Sequence, residues 1–252
     1  MKKTLVTFCC FALLVFSQSA LFSQISDEER AEGFVSIFNG QDLTGWEGNP
    51  AIWRVENGAI VGQTTAEGPA HITYNQFLIW KGGEPENFVL RFDIKCTPAA
   101  GNSGMQIRSW MNPDTSRPFS VFGYQADFDG AHAHTGIFYA EGFRGAAPGQ
   151  GAILSQRGQE TIAELGQRQS REVRRFAEAE ALKRELKIDD WNAYEVTAKG
   201  FTFTNKINGH VMSIFTDEDT EVRKSSGILA IQAHRGPPMR VEIRNIRIKK
   251  LE

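Results

Sequence analysis

The chain has 252 residues, with 28 Lys and Arg against 30 Asp and Glu, 41% hydrophobic residues, 24 Gly and 18 Phe. This is an ordinary globular composition, and a formal charge of −2 offers no basic stripe to neutralise phosphates, so nucleic acid is excluded as a partner. No run reaches the roughly 18–20 apolar residues of a membrane span, and collagen, coiled-coil, disordered-tail and disulfide-knot patterns are absent too.

The first segment reads as an address. Met1-Lys2-Lys3 precedes the uncharged, mostly apolar Thr4–Phe16 and then the small and polar Ser17-Gln18-Ser19-Ala20. A basic start, a short apolar core and small residues predict a secretory signal peptide over residues 1–23, cut after Ser19 or Ser23. Its removal would take Cys9 and Cys10 and leave Cys96 alone. A periplasmic or extracellular protein with one cysteine holds together by core burial, not by an internal disulfide.

One domain over residues 33–252 is expected beyond it. From Gly33 the text consists of short alternating apolar runs: Phe34–Phe38, Trp53–Val55, Ala59–Val61, Phe88–Cys96, Gly104–Arg108 and Tyr124–Phe128. Gly136–Tyr139, Ala193–Lys199, Phe201–Ile207, Ser226–Ala233 and Val241–Ile248 follow. A period of two, broken by Gly, Pro, Asn and Asp, is the signature of an antiparallel sandwich or barrel. Glu56-Asn57-Gly58 and Asn208-Gly209 read as tight hairpin turns, and Asn39-Gly40 ends the first strand. The charge-rich stretch from Ser155 to Asp190 breaks the pattern. Its Glu160–Leu165 and Glu172–Phe176 segments read as a β-excursion or a loop. FAEAEALKREL then predicts one short amphipathic helix near 176–187, with Leu182 and Leu186 on one face.

Strand parity gives the functional signal, because residues i and i+2 share a face. Opposite Met105 and Ile107 lie Gln106 and Arg108; opposite Ala126 and Phe128 lie Gln125 and Asp127; opposite Leu229, Ile231 and Ala233 lie Gln232 and His234. Such faces can simply be solvated, but solvated faces usually carry Lys, Glu and Thr. These side chains have directional donors and acceptors, and Trp80 and Trp110 are available to stack on a sugar ring, so a concave ligand-facing sheet is expected.

The chain resembles the bacterial 3-keto-disaccharide (3-keto-glycoside) hydrolase domain. The resemblance is carried by FVSIFNGQDLTGWEG (Phe34–Gly48), WRVENGAIVG (Trp53–Gly62), FLIWKGG (Phe77–Gly83), FVLRFDIK (Phe88–Lys95) and GNSGMQIRS (Gly101–Ser109). It continues through GYQADFD (Gly123–Asp129), TGIFYAEGFRG (Thr135–Gly145), DWNAYEV (Asp190–Val196), INGH (Ile207–His210) and the segment Ser225–Leu251. It implies an all-β, concanavalin A-like jelly-roll sandwich and activity on glycosides oxidised at C3 of a sugar. A C3 ketone acidifies the C2 hydrogen; a base removes it, an enolate forms at O3, and the C1 substituent departs. Such a site needs a base, donors for the enolate and an acid, rather than the paired carboxylates of oxocarbenium chemistry.

Carried onto this chain, His234 is the first candidate base, since its ordinary pKa lies near working pH. Asp127 would orient it, or act as acid or base itself. Arg108, Gln106 and Gln232 would bind the ketone oxygen and nearby hydroxyls, Glu141 would be a reserve proton carrier, and Asn102 and Gln125 would position hydroxyls. Lys81 would sit at the rim as a further cation, and Trp80 would bind the substrate by stacking on it. No cofactor and no metal is implied, and the expected partner is a small carbohydrate or glycoside. Asp127, Asp129, His132 and His134 look like a metal cluster but lack further ligands at suitable spacing, so solvated loop histidines are expected there. Cys96 reads as a small core or edge residue, His71 and His210 as solvated, and SREVRRF (Ser170–Phe176) as a solvated face. A lectin-like module without catalysis is the alternative, since one fold serves many functions.

Overall fold

The computed structural model describes residues 25–252, so the predicted signal at residues 1–23 lies outside the described residues. The first strands are β1 (Val35–Ser36), β2 (Trp46–Glu47), β3 (Trp53–Glu56), β4 (Ala59–Gln63), β5 (Gln76–Trp80) and β6 (Phe88–Thr97). Next come β7 (Asn102–Met111), β8 (Val121–Asp129), β9 (Phe138–Glu141), β10 (Ala152–Ser155), β11 (Gln159–Ala163) and β12 (Arg171–Arg175). The last are β13 (Asn192–Lys199), β14 (Thr202–Ile207), β15 (His210–Asp217), β16 (Ile228–Ala233) and β17 (Arg240–Lys250). Two short helices, α1 (Asp27–Ala31) and α2 (Ala179–Lys183), complete the described elements.

The strands form two sheets packed face to face, a jelly-roll sandwich. One runs β12-β11-β15-β14-β13-β6-β17-β4-β3, with β1 added on β17; the other runs β10-β9-β8-β7-β16-β5-β2. Strand β6 shows why the sequence chooses this. Phe88, Leu90, Phe92, Ile94 and Cys96 are buried while the residues between them are half-exposed, the alternation of a strand with one face on a core. On the inner face of the first sheet Phe92 stacks on its ladder partner Tyr194 with centroids 5.0 Å apart, and across the sheets Tyr124 meets Phe203 at 4.7 Å. Both predicted Asn-Gly hairpins form with the left-handed pair they require: φ is 48° and 77° at Asn57 and Gly58, and 51° and 86° at Asn208 and Gly209.

The expected helix is present but shorter than 176–187, reduced to α2, where Leu182 is buried; Leu186, just beyond the helix, is also buried. The charged stretch before it resolves as a β-excursion, β11 with β12. Strand β11 also pairs with β15 in parallel, which the long connection between them permits. Helix α1 has no counterpart in the sequence reading. Ser26 caps it by accepting from the Glu29 N–H at 3.1 Å, and Glu29 in turn meets Arg91 at 3.1 Å and Arg247 at 2.8 Å.

Strands β7, β8 and β16 are buried on both faces. One face is the inter-sheet core. On the other, Phe77, Ile79, Val121 and Ala230 form a small apolar cluster against Phe119, which closes one flank and leaves the polar remainder open. The segment after β9 is pinned to the opposite sheet. Buried Arg144 donates to Asp217 Oδ1 at 2.6 Å, and the Tyr124 hydroxyl donates to Asp217 Oδ2 at 2.7 Å.

Candidate active site

The outer face of the second sheet holds a cavity of about 700 Å³, within the roughly 300–1,000 Å³ range of small-molecule sites. Asn102 of β7, Gln125 and Asp127 of β8, Tyr139 and Glu141 of β9, and Gln232 of β16 line it. His234, Arg235, Tyr74 and Asn75 line it from the loops. Asp127, Gln125, Gln232 and His234, which strand parity grouped, line it together with Asn102 and Glu141, which the resemblance assigned; Tyr139 and Glu141 share a face of β9 two residues apart.

A chain of side-chain hydrogen bonds lies under the floor. The Ser109 hydroxyl donates to Gln106 Oε1 at 2.7 Å, and Gln106 Nε2 donates to Gln125 Oε1 at 2.7 Å. Gln125 Nε2 then donates to Asp127 Oδ1 and, at 3.5 Å, to Gln232 Oε1. Gln232 Nε2 donates to Glu141 Oε2 at 3.4 Å, and Asn75 Nδ2 to Glu141 Oε1 at 2.9 Å. Gln125, Gln232 and Asn75 turn their donor ends toward carboxyl groups, and Gln106 donates to the amide oxygen of Gln125. Gly104 permits the crossing, because a Cβ there would come within 2.7 Å of Gln125 Cγ.

Burial dominates the electrostatics. It pushes Asp127 up to about 8, with the Gln125 hydrogen bond opposing it and nearby Glu141 and Asp129 adding to it. Burial also raises Glu141, against the hydrogen bonds from Asn75 and Gln232 and the charge of Arg235. Tyr139 is raised by burial and by Glu141 and Asp127, so it stays a phenol and a donor. His234 moves the other way: burial lowers it, and the Arg235 charge adds to this against a hydrogen bond to the Arg235 carbonyl. That carbonyl can only accept, so Nδ1 carries the proton and Nε2 the lone pair. The cavity is thus lined both by an imidazole kept neutral and by a carboxylic acid kept protonated near neutral pH, two groups of which one can take a proton and the other deliver one.

Several expected site residues lie elsewhere. Arg108 does not face the cavity. It adopts φ 44°, and the β7–β8 register shifts between Ile107 and Trp110. This bulge reverses parity and sends the guanidinium between the sheets. There it donates to Glu86 O at 2.8 Å, Gly200 O at 2.5 Å and Asn87 Oδ1 at 3.1 Å, 5.2 Å over the Phe203 ring. Gln106 is fully buried beneath Gln125 and supports the floor instead of touching a ligand. Lys81 pairs with Glu47 at 2.9 Å, and half-buried Trp80 is the ladder partner of Trp46 at the far side of the sheet; neither lines the cavity. Arg108→Met is expected to cost about 2 kcal/mol of stability by leaving carbonyls unpaired, with kcat/KM of the folded protein within about twofold of wild type. A urea titration alongside initial rates checks both halves, and a collapse in kcat would return Arg108 to the site.

The histidine-rich turn is structural, not wholly solvated. His132 is buried, with Nδ1 3.1 Å from Thr135 Oγ1 and Nε2 3.1 Å from Lys187 O. The Asp129 carboxylate takes the backbone N–H groups of Ala133 at 2.9 Å and Thr135 at 3.1 Å. His134, half-exposed, lines the cavity. Among the described residues no group of three His, Cys, Asp or Glu side chains is placed to hold a metal. Cys96 is buried in β6 and its thiol is pushed up to about 12 by burial, the behaviour of a core residue. Sequence reasoning missed Tyr139, which parity with Glu141 would have found, and the loop residues Asn75 and Arg235, which no periodicity marks.

The fold and cavity define a β-sandwich with a polar, carboxyl-bearing site on its outer sheet. The chain belongs to the family of the 3-keto-alpha-glucoside-1,2-lyase-like domain, which matches residues 33–249. No curated protein matches it. Among solved structures, a candidate glycosyl hydrolase from Parabacteroides distasonis is similar at 21% identity and TM-score 0.59, covering 91% of this chain and 99% of that one. A second candidate glycosyl hydrolase from that organism is similar at 17% identity and TM-score 0.51, covering 86% and 99%. The carbohydrate-binding module CBM66 from Bacillus subtilis is similar at 13% identity and TM-score 0.52, covering 83% and 98%. At such identities the likeness speaks for the shared concanavalin A-like fold. Family membership associates the chain with glycosides. Among the described residues no helix is long and apolar enough to cross a membrane.

Proposed function

We propose that this chain cleaves glycosides whose sugar carries a ketone at C3, by elimination followed by addition of water. His234 Nε2 takes the C2 proton, and the electron pair moves to the ketone oxygen to give the O3 enolate. Asn102, Gln232 and the Tyr139 phenol are the donors available to that oxygen. The enolate then expels the C1 oxygen, which takes its proton from Asp127, and water adds across the new double bond to complete hydrolysis. Glu141 is the reserve proton carrier. The observation that carries this reading is the opposed displacement of His234 and Asp127 within one polar cavity, which suits a base and an acid at the same pH. We further propose that the reaction takes place outside the cytoplasm, a reading supported by the signal-like sequence of residues 1–23.

The amide-rich floor and the likeness to a carbohydrate-binding module favour one alternative, a lectin-like protein that holds a sugar without cleaving it. Product release from 3-keto-glucosides and from the parent glucosides separates the two. Wild type is expected to turn over the keto substrates alone, and His234→Ala to lower kcat by about 10²–10⁴-fold. Retained binding without turnover of any substrate would leave the lectin; full activity in the variant would move the base to another group.

A further inference from the structure

Beside the first cavity lies a second of about 550 Å³, and both are lined by Gly142 and Gly149. Neither glycine carries a side chain to stand as a wall between them. Phe122, on the first cavity, is the ladder partner of Trp110, on the second. An aromatic margin therefore runs from one to the other, and on to Phe143, which meets Trp110 edge-on at 5.2 Å. We propose that the second cavity receives the aglycone of the glycoside and that this aglycone is an aromatic ring. The proposal rests on the glycoside-cleaving reading above and names its substrate class.

The chemistry of the lining chooses between an aryl group and a second sugar. Pro148 and Val222 add apolar surface to the two aromatic rings. Most of the buried polar atoms there are engaged, although Arg144 Nε keeps no partner. Arg144 is held by Asp217 at 2.6 Å, by Gln167 O at 2.9 Å and by Asp219 at 3.5 Å, and Asp219 also accepts the Glu221 N–H at 3.1 Å. Gln167, Glu221 and Lys224 add polar groups toward the solvent side, but the rings of Trp110 and Phe143 with Pro148 and Val222 present the apolar faces and edges that an aryl ring needs. Exposed Lys224, its ammonium 5.4 Å over the Trp110 ring, is a mobile cation that an incoming ring can displace or face.

The test uses the full chain with aryl, methyl and disaccharide 3-keto-glucosides, and two variants: Trp110→Ala, and Val222→Trp, which fills the cavity from an exposed position. Both are expected to raise KM for the aryl substrate about 10-fold while leaving the methyl substrate within about twofold. Saturation-transfer NMR with a nitrophenyl glucoside provides a readout free of turnover, and its ring protons should lose signal in both variants. Equal effects on aryl and methyl substrates, or unchanged ring signals, would overturn the proposal. So would a disaccharide that responds as the aryl substrate does, because a second sugar would then be the occupant. Absence of any turnover, with the ring signal present in wild type and lost in both variants, would remove the cleavage reading and leave the aryl site supported.

Discussion

Replacing Asp127 by Asn is expected to lower kcat by about 10²–10⁴-fold while making the protein more stable at alkaline pH. The two effects share one cause. Asp127 is buried on the cavity floor with a carboxyl pushed up to about 8 from an ordinary 3.8. Near neutral pH it is therefore mostly an acid, able to protonate a departing oxygen. The sign of its stability contribution follows from linkage: a folded-state value above the unfolded one means that the native protein binds the extra proton. That contribution is fully present below about pH 4 and is lost as pH rises toward 8, where the buried carboxylate must form. Asparagine titrates in neither state, so the variant should match wild type near pH 4 and exceed it at pH 9 by several kcal/mol. Thermal melts at the two pH values check this. In wild type, kcat/KM should fall below His234's titration, which lies under the ordinary 6.5, and again near pH 8 as Asp127 ionises. An alkaline limb that persists unmoved in the variant would take Asp127 out of the role.

Asp217→Ala is expected to destabilise the fold by about 3–5 kcal/mol, the cost of stranding a buried charge. Asp217 is fully buried at the end of β15 and joins three parts of the molecule: the Arg144 guanidinium, the Tyr124 hydroxyl and the Asp219 N–H at 3.0 Å. Without it, Arg144 keeps only the more distant Asp219 and a carbonyl, and the Tyr124 hydroxyl loses the acceptor of its proton. The double variant Asp217→Leu with Arg144→Met removes both charges and should recover much of the loss, because the desolvation of each ion disappears with it. Urea titrations of the single and double variants decide the point. A single variant within about 1 kcal/mol of wild type would mean that the segment after β9 is not held by this pair. Since that segment lines both cavities, the variant's KM for a bulky substrate should also change.

Much of this architecture could be read from the chain because side chains alternate along a strand. Gln125, Asp127 and Gln232 reached the cavity since nothing interrupts the period of two between them and their apolar neighbours. Arg108 failed by the same rule. The backbone turns left-handed at an arginine, where no glycine announces a bulge, and one inserted residue sent the guanidinium to the opposite face. Asn75 and Arg235 were beyond reach for a different reason. The Arg235 N–H donates to Asn75 Oδ1 at 3.0 Å because β5 and β16 are neighbours, and that adjacency belongs to the sheet order, not to either local segment. The helix came out short because propensity extends over FAEAEALKREL, whereas the sheet offers an apolar seat for little more than Leu182 and Leu186.

The floor of the cavity also constrains how such a chain can diverge. Ser109, Gln106, Gln125 and Gln232 each set the direction of the next, so the amides form a single polarised array in which no member can be reversed alone. A change at one position leaves a neighbour's oxygen facing an oxygen, or a donor facing a donor, among largely buried side chains. Substitutions here should therefore arrive in compensated sets, and among relatives these four positions should covary as a block while the strands around them drift independently. On the proposed mechanism, the environment of Asp127 is set by a pattern of bond directions rather than by a single residue.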